Sequence, residues 1–324
     1  MLLLSRDDLE QLLPPLDLVD ALAEAFRLYA RGGITVPARS VTPVTDDGLL
    51  LLMPSAAPDE QLGLGVKLVT YYGGNTARGR PTLHATYCLM NHATGEPLAL
   101  LEGTFLTGLR TAATSALAAR LLARPDSVRA VCFGAGVQAR FQLRCLAAVL
   151  PLASVTVIGR DTARARRFAS VMSAELGLSV ETGIAHDAVP RADVITCATT
   201  SPTPVLFGAE LSPGTHVDAV GAFRPTDREV DGETVRRARV VVDTYAGALE
   251  EAGDVLLPLH EGLVGRAHIA AELAEIVTGA RPGRTAPDEI TLFKSVGFAL
   301  EDLAGARLAY NRAMARGIGT EVRL

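Results

Sequence analysis

Several things are missing from this sequence. It has no stretch of about 18 uncharged apolar residues, so a membrane-crossing helix is not expected. The apolar start of MLLLSRDDLEQLL is too short for a secretory signal and lacks a basic flank. There is no run of lysine and arginine, and the formal net charge is −5, so the electrostatic footprint of a nucleic-acid binder is absent. An anionic ligand would have to be met by local positive charge, not by the field of the whole protein. The four cysteines, Cys88, Cys132, Cys145 and Cys197, form no Cys-x-x-Cys pair, and the six histidines do not cluster with them, so no metal site is read. They are expected as small buried hydrophobes of a reducing cytoplasm. No internal repeat or low-complexity segment stands out.

What remains is an ordinary globular balance, 48% hydrophobic and 21% charged over 324 residues, a length that suits two domains. Ser5 and Asp8 form a capping box ahead of a short helix to Leu13, and a second helix runs over Asp17–Arg31 until Gly32-Gly33 stops it. Leu49–Met53, Gly63–Tyr71, Leu83–Met90 and Pro97–Glu102 read as consecutive strands, hence an antiparallel or mixed sheet, followed by a helix over Thr107–Arg124. From Val128 the pattern changes to short apolar strands alternating with helices. The strands are Val128–Phe133, Ser154–Ile158, Ala192–Cys197, His216–Val220, Val240–Asp243 and Glu289–Phe293. Helices are read to about Leu150 and over Thr162–Leu176, with a last one over Gly297–Arg316. The fold class is therefore α/β: a Rossmann-type doubly wound NAD(P)-binding domain plus an α+β domain for substrate and dimerisation. The X-Pro junction at Arg124-Pro125-Asp126 marks the boundary, giving residues 1–124 completed by 296–324, and residues 125–295.

Strand, glycine turn and helix follow one another in Val131-Cys132-Phe133-Gly134-Ala135-Gly136-Val137-Gln138-Ala139. Gly134 permits the tight turn, Gly136 lets the backbone approach a pyrophosphate, and Ala139 allows close helix packing, with the helix N-terminus turned to the phosphates. The next strand ends in Gly159, Arg160, Asp161 and Thr162, where NAD enzymes usually place a carboxylate for the ribose 2′-hydroxyl. Arg160 there, with Thr162 and Arg164 beside it, favours the 2′-phosphate of NADP(H), while Asp161 keeps NAD(H) open.

Lys67, in the middle of the apolar GLGVKLV strand, reads either as an outward lysine or as a buried functional one. Arg110, among small residues near a helix start, presents a fork suited to a carboxylate, and Arg39 is a further cation. His84 alternates along its strand and is read either as structural or as facing the pocket. His216 and Asp218 are expected to hydrogen-bond, Glu229 and Asp231 to start a helix, and Glu250, Glu251 and Asp254 to form a loop cluster.

The motifs LMP, GVKLV, GRPT, ATGEPLALLEG, LTGLRTAATSALAA, FGAGVQA, VGAFRP, GDV and FKSVG occur in order along nearly the whole chain. In these it resembles the ornithine cyclodeaminase/mu-crystallin family. The resemblance implies a homodimer assembled through the substrate domain. It also implies a small substrate whose carboxylate and nitrogen meet Lys67 and Arg110, with Arg39, Thr82 and Ser295 in the same region. Gly136, Val137, Gln138, Arg160, Thr162, Thr199, Val220 and Ser295 would line the cofactor cleft, along with Gly134, Ala135, Gly159 and Arg164 of the turn and strand tip; Thr82 and Arg110 would lie beside the nicotinamide.

Two departures bear on the activity. Where the ornithine cyclodeaminases carry carboxylates for a distal ammonium, this chain has Leu51 and Phe223. An ammonium against those side chains would lose its hydration without a partner, at several kcal/mol. An apolar floor with a cationic clamp suits instead Δ1-pyrroline-2-carboxylate or Δ1-piperideine-2-carboxylate, reduced to L-proline or L-pipecolate with Lys67 and Arg110 catalytic. The alternatives are an alanine-dehydrogenase-like or open-chain N-alkyl amino acid forming reductase, an ornithine cyclodeaminase despite those two positions, and a cofactor-dependent small-molecule binding protein without turnover.

Overall fold

In the computed structural model, which describes residues 1–58 and 61–323, the chain separates into two compact units, Met1–Arg110 with Phe298–Leu324, and Thr111–Gly297. The first opens with β1 (Leu2–Leu4), α1 (Arg6–Leu12) and α2 (Pro15–Ala30). The Ser5/Asp8 capping box is formed, and Gly32 and Gly33, both with positive φ, follow the end of α2. Next come β2 (Ser40–Pro43), β3 (Gly48–Ala56), β4 (Leu64–Tyr72), β5 (Leu83–Met90), β6 (Pro97–Glu102) and α3 (Gly103–Leu122). Helix α3 begins earlier than the sequence suggests, because the Glu102 carboxylate accepts from the N–H groups of Thr104 (2.9 Å) and Phe105 (2.7 Å) and so acts as its cap. The helix ends at Leu122, ahead of Pro125, and the two compact units part inside it, at Arg110.

The second unit contains β7 (Arg129–Phe133), α4 (Val137–Val149), β8 (Ser154–Ile158), α5 (Thr162–Leu176), β9 (Ser179–Thr182), α6 (Ala185–Ala188), β10 (Val194–Cys197) and β11 (His216–Ala219). It continues through α7 (Gly232–Arg237), β12 (Ala238–Val242), α8 (Tyr245–Glu251), α9 (Gly253–His260), β13 (Ile269–Glu272), α10 (Leu273–Thr278) and β14 (Ile290–Lys294). The chain then returns to the first unit as α11 (Ala299–Arg316) and β15 (Thr320–Glu321).

The first unit is a seven-stranded sheet, β15-β1-β6-β5-β4-β3-β2, antiparallel from β2 through β6. Odd-numbered residues of β3, β4 and β5 share the face that α11 covers, so Met53, Lys67 and Tyr87 lie side by side across three strands. Phe298, just before α11, stacks on Phe26 of α2 at 6.3 Å between ring centroids. His84 pairs with Thr70 and is exposed, which puts it on the opposite face from Lys67. The pocket-facing reading of His84 is corrected accordingly.

The second unit is an eight-stranded sheet, β13-β12-β14-β11-β10-β7-β8-β9, with every pairing parallel. From β9 to β14 this is the doubly wound order in which a dinucleotide lies across the carboxyl ends of the strands. Alternate residues of β7 feed two cores, Val131 and Phe133 into one and Ala130 and Cys132 into the other, as burial on both faces requires. Asp231 does cap α7, accepting from Thr234 N–H at 2.8 Å, but Glu229 starts no helix. Glu250 and Glu251 lie in α8, and Asp254 is a fully buried residue of α9, so these three are not a loop cluster. His216 and Asp218 bond to each other at 3.2 Å. Cys132, Cys145 and Cys197 are buried, and no cysteine among the described residues is in a disulfide.

Candidate active site

Lys67 is 1% exposed. An ammonium so deep in a sheet needs a partner of opposite charge, and Asp302, in the first turn of α11, supplies it. Lys67 Nζ donates to both Asp302 oxygens, at 2.7 and 2.9 Å. Its third N–H has no partner among the described residues. Arg110, also buried, donates through Nε to Asp302 Oδ1 at 3.0 Å and through Nη1 to Glu301 Oε2. The result is a cluster of two cations and two carboxylates, all within the first unit, with the half-buried Arg39 near enough for its charge to be felt at Lys67.

These surroundings lower the proton affinity of Lys67. Burial is the main cause and the charge of Arg110 the second, and together they outweigh the attraction of Asp302 and bring the lysine down to about 7. Tyr87, its neighbour across the strands, is pushed well up by burial and keeps its proton. A lysine poised near neutrality can hold a proton over an imine nitrogen and also release it. Along the same face, Leu51 joins Val69 and Ala85 in an apolar patch one row from Lys67. No carboxylate occupies position 51. Thr82 is half-buried at the entrance to β5, where its carbonyl accepts from Tyr72 N–H at 2.8 Å.

In the second unit the glycine turn can be tested residue by residue for a dinucleotide. Gly134 has φ +115°, and a β-carbon there would stand 2.5 Å from the Ala198 carbonyl oxygen, so the fold itself demands glycine. Gly136 is different. A β-carbon there would meet nothing nearer than Arg164 Nη2 at 3.8 Å, so packing does not require glycine, and the open backbone leaves room for a ligand's approach. Val137, first residue of α4, is 72% exposed, and no side chain caps that helix start. Arg164 leans over the turn and donates through Nε to the Ala135 carbonyl at 3.1 Å. Together, an uncapped helix N-terminus, an open Gly136 and an overlying guanidinium fit a pyrophosphate. Gln138 belongs to the same first turn.

Gly159 packs on Ala165, and Arg160 and Thr162 are exposed at the strand tip. The Asp161 carboxylate accepts from Arg164 N–H at 3.0 Å as the cap of α5. Thr199 and Val220 follow β10 and β11 at the carboxyl ends of the sheet, and Phe223 is half-buried with Arg224 against its ring. Ser295 is buried and donates to Asp243 at 2.9 Å, so its hydroxyl proton braces the end of β14. No cluster of His, Cys, Asp and Glu among the described residues could hold a metal ion, and no helix is long and apolar enough to cross a membrane.

A sequence model of the ornithine cyclodeaminase/mu-crystallin family matches residues 1–317. The chain belongs to that family. Within it, the chain is 35% identical over 325 residues to a Delta(1)-pyrroline-2-carboxylate reductase of Bacillus cereus, covering 99% of each. It is 38% identical over 301 residues to the ketimine reductase mu-crystallin of Mus musculus, covering 93% of this chain and 91% of that one. Among solved structures, Thermococcus litoralis Delta(1)-pyrroline-2-carboxylate reductase in complex with NADH and L-proline superposes with a TM-score of 0.96 at 43% identity, over 99% of this chain and 100% of that one.

Sequence reasoning missed Glu301 and Asp302. Acidic residues opening a helix usually answer to its dipole, which hides a second role. The available signal was their setting, two adjacent carboxylates in the otherwise apolar and small ALEDLAGA, at the distance in sequence where the cations of β4 and α3 still lacked partners.

Proposed function

We propose that this family member is an NADP(H)-dependent reductase of small cyclic ketimine carboxylates, converting Δ1-pyrroline-2-carboxylate and Δ1-piperideine-2-carboxylate to L-proline and L-pipecolate. The observation that carries the reading is the buried Lys67–Asp302–Arg110–Glu301 cluster beside an apolar patch at Leu51. Arg110 and Arg39 take up the carboxylate, and Lys67, held by Asp302, offers its remaining N–H to the imine nitrogen. The apolar Leu51 accepts the ring and repels a distal ammonium, and Phe223 offers no carboxylate to hold one. The bound dinucleotide supplies the hydride for the imine carbon. In this reading residues 1–124 and 296–324 bind and orient substrate, and residues 125–295 carry the cofactor. Free cysteines suit a cytoplasmic setting.

The test is nicotinamide oxidation followed with each cofactor against the two cyclic imines and against pyruvate with ammonia or methylamine. NADPH with a cyclic imine is expected to be fastest. Pyruvate with ammonia as the best substrate would instead favour an alanine dehydrogenase, the activity named for an archaeal dimer with bound NAD that superposes with a TM-score of 0.93. Arg160→Ala should raise KM for NADPH about 10-fold and leave NADH nearly unaffected, because only the 2′-phosphate loses a charged partner. Equal effects on both cofactors would refute the assignment of Arg160.

The homodimer is proposed on a separate feature. The face of the first sheet away from α11 carries Leu50, Leu52, Val66 and Met90 half-exposed, and Leu68 is 40% exposed at its centre. An apolar sheet face of this kind calls for a cover, and a second copy provides a matching one. Sedimentation should return a particle twice the 34.0 kDa chain, and a monomer at micromolar concentration would refute this.

A further inference from the structure

Glu229, Asp254 and Lys294 are fully buried in the second unit, and the chemistry above uses none of them. Their bonds form one system. Glu229 Oε1 accepts from the Thr199 N–H at 2.6 Å and the Thr199 hydroxyl at 2.7 Å. Its Oε2 accepts from the N–H groups of Gly221 at 2.6 Å and Ala222 at 3.2 Å. Asp254 Oδ1 in turn accepts from the N–H groups of Glu229 at 2.6 Å and Val230 at 2.9 Å, which fixes the segment bearing the glutamate. Lys294 Nζ pairs with Asp254 Oδ2 at 2.7 Å and donates to the Ala222 carbonyl.

The place these bonds converge on is specific. Thr199 and Gly221-Ala222 are the turns leaving the carboxyl ends of β10 and β11. Gly221 packs so closely that a β-carbon would stand 2.2 Å from the Thr199 carbonyl oxygen. Ala198, one residue before Thr199, is the residue against which Gly134 of the glycine turn is packed. In a sheet of this order the adenosine half of a dinucleotide lies on the β7–β8 side and the nicotinamide half on the β10–β11 side. A carboxylate that must be buried is costly, so four hydrogen bonds spent on two turns, where helix or strand bonding could not reach, signal a demand for rigidity there.

We propose that Glu229, held by Asp254 and Lys294, is a positioning residue that shapes the nicotinamide end of the cofactor site by locking the Thr199 and Gly221-Ala222 turns together. This rests on the dinucleotide reading of the second unit but not on the choice of imine. Burial and the neighbouring charge of Asp254 push the Glu229 carboxyl up, while Lys294 and the four donors favour its charged form. Its replacement by an amide would set an NH2 group against backbone N–H donors and loosen both turns.

The test compares two probes on the full chain by calorimetric titration: NADPH, and 2′-phospho-ADP-ribose, which lacks the nicotinamide. For Glu229→Gln, NADPH should bind about 10-fold more weakly while 2′-phospho-ADP-ribose stays within about twofold of the unaltered protein, as expected for loss of bonds to a charged acceptor on one half of the site. Equal weakening of both probes, or of neither, overturns the proposal. Should the glutamine variant fail to fold, Glu229→Asp is read in the same comparison, with the same selective loss expected. If the unaltered chain binds neither probe, NADH and ADP-ribose replace them in the same comparison; if it binds none of the four, it is the dinucleotide reading that fails, and the two failures stay distinct.

Discussion

Replacing Lys67 with methionine is expected to lower kcat/KM for the cyclic ketimine by about 10³-fold, the usual scale for losing a positioned proton donor. Methionine fills a similar volume and removes only the ammonium. Asp302 keeps its bond to Arg110 Nε, so the cluster loses one charge without leaving a carboxylate wholly uncompensated. The unaltered protein should show an alkaline limb in kcat/KM with an apparent pKa near 7, because activity falls as Lys67, lowered to about 7, gives up its proton. In Lys67→Met the residual activity should lack that limb. Retention of the limb would assign it to another group, most simply the imine itself. Folding should survive, as read by circular dichroism, since a methionine at a buried strand position is well tolerated.

Asp302→Asn carries the second large effect, and here stability and chemistry move together. Asparagine cannot balance Lys67 and Arg110, and breaking a buried ion pair from one side typically costs about 3–5 kcal/mol. The sign of the pH effect follows from what the aspartate does for the lysine. Asp302 raises the Lys67 proton affinity through its charge and its hydrogen bonds, so its removal lets burial, Arg110 and Arg39 depress the lysine further. The groups that face Lys67 are then Arg110 from α3, Arg39 from the segment before β2, and the neutral Tyr87 from β5. The alkaline limb should therefore shift to lower pH, below its position in the unaltered enzyme. Asp302→Glu keeps the charge and should restore part of both properties. An asparagine variant with unchanged melting temperature and unchanged pH profile would contradict the pairing.

Local features were legible in the sequence. The Ser5/Asp8 box, the strand–glycine turn–helix at Val131–Ala139 and the apolar parallel strands declare themselves within a few residues. So does the exposed Arg160 at a strand tip. The sequence is silent on partnerships between distant segments. Lys67 could be read as outward or buried until Asp302, 235 residues away, was found against it. Glu229 looked like a helix-starting acid because Asp231, two residues on, is one. Its actual partners are mostly the backbone N–H groups of Thr199, Gly221 and Ala222, which no residue type announces, joined by the Thr199 hydroxyl. His84 could be placed on neither face by alternation alone, because the face depends on which β4 residue it opposes. Register across the sheet supplies that, and Thr70 decides it.

The early start of α3 has a similar cause. Glu102 ends a strand in the apolar–polar pattern, and only the bonds from Thr104 and Phe105 show that it also caps a helix. Leu51 is the opposite case: its sequence position stands out for lacking a carboxylate, and it lies on the Lys67 face of β3, beside Val69 and Ala85.

A crystal structure of the protein with NADP+ and L-proline decides whether the buried four-charge cluster is the substrate site. The proline carboxylate is expected within hydrogen-bond distance of Arg110, and the ring nitrogen within reach of Lys67 Nζ while Asp302 still holds that lysine. Proline bound away from Lys67 and Arg110, with the four-charge cluster undisturbed and remote from the ligand, would contradict it.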